Sequence, residues 1–463
     1  MKSFFNKIEN IWKIKELRDK LLFTITLVLI YRLGSYVPLP AIDINEVGNI
    51  LDAYAKSGSN QQGQGLLGLL SSFTGGAFSR ASILALGVMP YITASIVVQL
   101  MTLTIPYLQK LQNDGESGRK RITQITRWLT IGICLFQAPA YLASITQLFL
   151  PVASFSNAYL VDPNNFWLFW LPSVFILVTG TVFTMWIGEK ITDKGIGNGV
   201  SIIIMVGILA NLPKSIINEF DIQTGANSQG GAIFLLVEVV LWLLVVVFSI
   251  MLIKAVRKVP VQYVRRAQVG SSSYMRSVSS DSVRQYIPLK VNASGVMPII
   301  FAQALMFLPS TLASVFDDGS STQLFLANFN NVFGLYYNIL FSVLIILFTF
   351  FYTAVTIPVK QMADDLKKNG GVIPKVKPGE ETQFYLDEIL SRITLPGAIL
   401  LAILAILPSF IVLLGVTQGL ALFFGGTSLL IMVGVILDTA QQIDTYLLNS
   451  HYDGLIEKGR LSK

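Results

Sequence analysis

Residues 185–204 read MWIGEKITDKGIGNGVSIII, and the fold follows from what lies on either side of them. Upstream, residues 166–186 form an apolar run that can cross a hydrocarbon core of roughly 30 Å, which takes about twenty residues. Lys190 and Lys194 then supply two positive charges, and a second apolar run starts at once with GIGNG. The chain therefore crosses a membrane, turns within a few basic residues and re-enters through a segment whose glycines make it a poor plain anchor.

Working outward, ten such runs are expected, centred on residues 21–36, 81–103, 128–148, 166–186, 196–212, 233–253, 293–308, 337–357, 395–414 and 420–447. As helices, each satisfies its own backbone hydrogen bonds, which lipid cannot do. Thirty of the 34 Lys and Arg residues fall in alternate gaps, at 1–20, 110–127, 190–194, 254–290, 360–392 and 458–463. Only Arg32, Lys56, Arg80 and Lys214 lie elsewhere. Basic loops stay on the cytoplasmic side, so strict alternation gives an even number of crossings with both termini cytoplasmic. The first run lacks a small-residue cleavage site and reads as a retained span rather than a signal peptide.

Composition narrows the chemistry. The chain is 53% hydrophobic and 13% charged, with a mean hydropathy of +0.62, whereas soluble domains are roughly a quarter charged. The net charge of +7 sits beside spans and reads as topology, not nucleic-acid binding. A single cysteine, Cys134, precludes an internal disulfide, and a single histidine, His451 in the tail, precludes a zinc site or Ser–His pair within the spans. An Mg²⁺ site at Asp364 and Asp365 is conceivable, but ADDLKK reads better as a solvated amphipathic turn.

Several spans are interrupted: the second by Gly87 and Pro90, the fifth by GIGNG, and the seventh by Asn292, Gly295 and Pro298. Interrupted segments at matching places in two halves point to a pathway between repeats, although Gly and Pro are also common in membrane helices. Spans one to five and six to ten form such halves, 1–212 and 213–463. Ion-coupled transporters place ionisable residues inside their spans. Here the interiors read as nearly bare: Arg32 can snorkel from the outer end of the first, and Glu189 marks the inner end of the fourth. Asp438 in the last reads as structural pairing or an inner-interface position. Aliphatic residues converge instead, namely Val88, Ile92, Val200, Ile204, Ile300 and Ile431. They are either core packing or a hydrophobic constriction that closes to ions and water, and periodicity does not choose between these. The inward loops 254–290 and 360–392 do not read as folded domains; both are long enough to project as fingers.

Seven local motifs make the choice: FTGGAFSRASI (73–83), LGVMPYITAS (86–95), GESGRKR (115–121), the stretch 185–204, IPLKVNASGVMPIIFA (287–302), KPGEET (377–382) and FGGTSLLI (424–431). In that order and spacing, the chain resembles the SecY family of protein-conducting channels over nearly its whole length. The resemblance implies an all-α polytopic membrane protein, with ten transmembrane helices in two inverted, pseudo-symmetric halves of five around a central pore. It makes the six aliphatic residues a pore ring, with valine at two positions where isoleucine is commoner. It makes residues 65–78 a re-entrant plug, including Leu67, Leu70, Phe73, Gly75 and Gly76. It makes Thr93, Gln137 and Asn292 a polar cluster joining spans two, three and seven across a lateral gate.

The same resemblance implies docking loops for the SecA motor and the ribosome. Arg257, Lys258, Arg265 and Arg266 could pair with motor carboxylates or, through a docked ribosome only, with rRNA phosphates. The alternative is that these charges fix topology and bind anionic lipid. Lys377, Gly379 and Glu380 belong to the second loop. There lysine replaces the family's usual arginine, keeping the charge but losing the planar fork that grips a carboxylate through two bonds. The implied partners are SecE-like and SecG-like small membrane subunits, SecA, the ribosome and precursors bearing signal sequences. The resemblance implies no catalysis, cofactor or metal, and a bacterial inner membrane or, alternatively, a plastid thylakoid. The rival readings are a secondary transporter of a small solute and a membrane-embedded lipid-modifying transferase. The first requires ionisable groups within the membrane, and the second a carboxylate pair, histidine or metal set near the interface.

Overall fold

A computed structural model describes residues 12, 14–40, 42, 74–149, 165–224, 231–263, 285–313 and 331–461. Helix α1 spans Lys15–Gly34. A series of turns over 74–88 leads into α2, Met89–Thr104, with Pro90 in its first turn, where its missing N–H costs no hydrogen bond. Pro106 starts α3, Pro106–Asn113, and holds Ile105 extended, so that the chain bends by 102° between the two helices. Helix α4, Gly115–Phe149, follows, then a π-helical turn at Phe166–Trp170 running into α5, Leu171–Lys194. Next come α6, Gly199–Thr224, and α7, Gly231–Lys254.

The second part contains strands β1, Val256–Tyr263, and β2, Gln285–Lys290, then α8, Met297–Ala313, and α9, Leu335–Thr356. It continues with α10, Val359–Lys368, β3, Gly371–Val372, α11, Glu380–Leu413, α12, Gln418–Ala421, and α13, Gly426–Leu461. A helix occupies each of the ten expected span positions: α1, α2, α4, α5, α6, α7, α8, α9, α11 and α13. Among the described residues, six helical stretches are long and apolar enough to cross a membrane, or seven if the bent α2–α3 pair is one span. Helix α6 runs through Pro213 to Thr224, past the point where the two halves are expected to join.

The interrupted spans are real breaks in the backbone. Gly87, Gly197 and Gly295 adopt φ of +54°, +79° and +64°, conformations that L side chains resist. At the α5–α6 break the chain folds back closely: a Cβ on Gly199 would lie 2.0 Å from the Gly188 carbonyl oxygen. The main core joins residues of α1, α2, α5, α6, α7, α8, α9, α11 and α13. Most of α7 faces outward, with Ile233, Leu236, Val240, Leu244 and Met251 exposed, as suits a lipid-facing helix.

Polar ties close the bundle. Arg127 of α4 grips Glu189 of α5 through Nε and Nη2, at 3.0 and 2.6 Å, and the carboxylate raises the arginine's pKa further. Lys20 of α1 donates to the Tyr446 hydroxyl of α13 at 3.0 Å, and Gly197 N donates to Gln442 Oε1 at 2.8 Å.

One expectation is overturned. The two basic loops, which do not read as folded domains, share a three-stranded antiparallel sheet in the order β2-β1-β3. The first loop supplies β1 and β2, and the second supplies β3, through Gln262↔Val372 and Tyr263↔Gly371. The sheet packs on α10 and the start of α11 through its own core, including Val259, Val261, Leu289, Leu366, Ile373 and Leu386.

Candidate functional site: a constricted pore

Ile92 of α2, Ile204 of α6, Ile300 of α8 and Ile431 of α13 line one small cavity with Met89 and Gln303. Four helices far apart in sequence each contribute one isoleucine. Each of the four isoleucines is more than nine-tenths buried. The space left between them is about 10 Å³, at or below the size that admits one water. Gln303 apart, a collar this tight offers an ion no ligand to replace its hydration. Val88 and Val200 belong to the same core but do not line the cavity. Val88 lies in the N-cap position of α2, and Val200 packs on α5, with Cγ2 3.0 Å from where a Cβ of Gly188 would be. Met89 and Gln303 were not legible as lining residues, because each sits one turn from a ring position in a run with no polar periodicity.

Beside the collar, the turns over 74–88 are anchored to the bundle. The Gly75 carbonyl accepts from Arg32 Nη1 and from Arg80 Nη2, both at 2.8 Å. Both guanidinium groups lie over the Tyr36 ring, at 5.0 and 4.2 Å. Arg32, expected to snorkel, thus turns back to hold this segment. Tyr141 donates to the Phe78 carbonyl at 2.7 Å, and the two rings meet edge to face. Gly75 and Gly76 have φ of +66° and +84°, and a Cβ on Gly75 would come 2.2 Å from Arg32 Nη1. The Thr74 methyl approaches Gly87 at the entrance to α2, 3.2 Å from where its Cβ would be. Leu67, Leu70 and Phe73 lie outside the described residues.

Helices α2 and α8 pack directly on one another. The expected polar cluster is not joined by hydrogen bonds among the described residues. Thr93 donates to the Met89 carbonyl of its own helix at 3.1 Å. Asn292 accepts from Ser294 at 3.2 Å, and its buried Nδ2 has no acceptor. Asn292 also lines a polar pocket of about 270 Å³ with Lys290, Ser201, Asp438 and Thr439. Asp438 is exposed there.

On the sheet, Arg257 and Lys258 are exposed; Arg265 and Arg266 lie outside the described residues. In the second loop Lys377 is exposed, with its ammonium 3.6 Å from Glu381, and Thr382 caps its carbonyl at 2.9 Å. Gly379, at φ +114°, is the N-cap of α11, and Glu380 opens that helix, where a negative charge suits the helix dipole.

The sequence reading also missed an acid. Glu238 lies inside α7, within the sixth expected span, and is 4% exposed beside the buried Glu219 of α6. It was visible as the one charge in LLVEVVLW. The span interiors are therefore not bare, although this pair lies away from the isoleucine collar.

A model of the SecY family matches residues 82–440. The protein translocase subunit SecY of Chlamydia trachomatis is 37% identical over 463 residues, covering 98% of each chain. Its counterpart in Escherichia coli K12 is 37% identical over 453 residues, covering 96% of this chain and 95% of its own. Among solved structures, a protein-conducting channel superposes with a TM-score of 0.55 at 15% identity, over 92% of this chain and 91% of its own. A yeast Ssh1 complex bound to the ribosome gives 0.53 at 15%, over 92% and 89%. At that identity these two speak for the fold alone.

Proposed function

The chain belongs to the SecY family, and on that premise we propose that it is the channel through which unfolded secretory polypeptides cross a bacterial membrane. The observation that carries this reading is the meeting of Ile92, Ile204, Ile300 and Ile431 around about 10 Å³. A collar without charge or hydrogen-bonding side chains, Gln303 apart, yields to any sequence and closes behind it. Residues 65–78 form the plug, and Arg32 and Arg80 hold it at the Gly75 carbonyl. Val88 and Val200, in the same core, complete the ring. The direct α2–α8 packing is the lateral gate in its closed state, through which hydrophobic segments leave into lipid, with Thr93, Gln137 and Asn292 as its polar seam.

The chain performs no catalysis itself. Motion comes from a SecA-like motor or a ribosome docked on the two cytoplasmic loops, at Arg257, Lys258, Arg265 and Arg266 of the first and Lys377, Gly379 and Glu380 of the second. SecE-like and SecG-like subunits clamp two halves, spans one to five and six to ten. The complex sits in the inner membrane with both termini cytoplasmic.

The test is ion conductance of the purified complex in a planar bilayer, before and after deletion of residues 65–74. We expect a silent channel that leaks on deletion and moves a secretory precursor when SecA and ATP are added. Background conductance after deletion, together with gradient-driven movement of a small solute, would replace this reading with the transporter. That rival now has a pair of buried carboxyls to point to, but they line a separate pocket.

A further inference from the structure

Glu238 is the one acidic residue of α7, 4% exposed, and lies against Glu219 of α6, which is 2% exposed. The two carboxyls differ in one respect. Glu219 is fully used: Oε1 accepts from Gln223 at 3.0 Å, and Oε2 from Thr417 N at 3.1 Å and from the Thr417 hydroxyl. Glu238 lies within hydrogen-bonding reach of Glu219, but its Oε1 is buried with no donor. A buried acceptor left in this state costs roughly 1–3 kcal/mol, so it needs an explanation.

Both acids line a cavity of about 270 Å³ whose other walls are apolar, among them Phe220, Trp242 and Phe423. Trp242 spends its Nε1–H on the Phe423 carbonyl at 2.9 Å, leaving only the hydrocarbon of its ring for the cavity. Ile216, Phe220 and Val239 at the mouth are each about half exposed, so the cavity opens sideways, where the bundle meets lipid.

These features select an occupant. A neutral apolar molecule would fill the walls but leave Oε1 without a partner. An anion would face two acids. A protonated primary amine on an apolar stem supplies N–H donors, a positive charge and hydrocarbon together. By comparison with the roughly 150 Å³ cavity that holds a benzene ring, there is room for about ten non-hydrogen atoms.

We propose that this cavity is a binding site for a small hydrophobic primary ammonium, its head on Glu238 Oε1 beside the Glu219 carboxyl and its stem against Phe220, Trp242 and Phe423. The ligand enters from the bilayer, into which such amines partition. The same chemistry is offered by a free amine or by the headgroup of an aminolipid.

The test uses the full-length chain in its assembled complex, in phosphatidylcholine nanodiscs, with empty nanodiscs subtracting partitioning. Labelled 4-phenylbutylamine is compared with 4-phenylbutan-1-ol, which has the same stem and no charge. We expect saturable amine binding at least about tenfold tighter than the alcohol, with Glu238→Gln reducing it to the level of the alcohol. Leu235→Trp, which fills the cavity and leaves Glu238 in place, should abolish both, and it decides alone if Glu238→Gln fails to fold. Equal affinity for amine and alcohol, no saturable binding, or amine binding that survives both variants would overturn the proposal. A second arm adds phosphatidylethanolamine to the nanodiscs. Loss of amine binding assigns the site to the lipid headgroup and unchanged binding to the free amine, and either supports an ammonium site.

Discussion

At the scale of single residues, Gly75 is constrained both by its backbone conformation and by its neighbours. Its φ of +66° alone costs an alanine roughly 1–2 kcal/mol, and the added Cβ would press on Arg32 Nη1 at 2.2 Å and on the Gly207 backbone at 3.1 Å. Gly75→Ala should therefore lower the thermal stability of the complex and raise its idle conductance, without the complete loss expected of a core deletion. Conductance at the wild-type level would mean that the double-arginine anchor does not hold the plug. The sequence marked Gly75, Gly76 and the four isoleucines because each belongs to a motif. It did not mark Arg32 as an anchor, because a lone arginine near the end of a span looks the same whether it snorkels or turns inward. Glu238 was legible outright as a single acid in an apolar run; what could not be read was its neighbour, since Glu219 sits beyond the expected end of its own span.

At the scale of elements, the shared sheet is the main departure from the sequence reading. The alternation was there: Val259 and Val261 point inward between exposed Lys258, Pro260 and Gln262. Pro260 and the surrounding charge hid it, since proline within a strand argues for an edge. The structure accommodates it because β3 pairs only with Gln262 and Tyr263, leaving β1 unpaired on that side at Pro260. A strand whose partner lies more than a hundred residues away also leaves no local signal. The register predicts that cysteines at Gln262 and Val372 form a disulfide under mild oxidation, since directly paired positions fall within bonding reach. Fragments that stay linked after cleavage between the two loops would report it; Cys134, being buried, should not interfere. Free fragments would mean that the loops are independent.

At the scale of the whole molecule, the ten span positions were readable because length and apolarity suffice for a membrane helix. Their packing was not: lipid and protein interior are both apolar, so the face of α7 exposing Leu236 and Leu244 and the buried face of α13 carry the same kind of residue. The alternation of charge predicts a topology, which can be tested directly. Single cysteines at the exposed Lys258 and Lys214 positions should react with a membrane-impermeant maleimide from opposite sides, Lys258→Cys from the cytoplasm and Lys214→Cys from outside. Labelling of both from one side would overturn the assigned topology.

The route from sheet to bundle is short. Strand β2 ends at Lys290, the turn over 291–296 follows at once, and α8 begins at Met297; Val291 N is pinned to the Ala255 carbonyl at 2.9 Å. On its other side β1 is bound to β3, which leads through Gly379 into α11. The sheet is thus a crossbar between two long helices, and α8 is the lever at one end. A force applied to either loop would therefore be shared by both, through one sheet that is tied to α8 on one side and to α11 on the other.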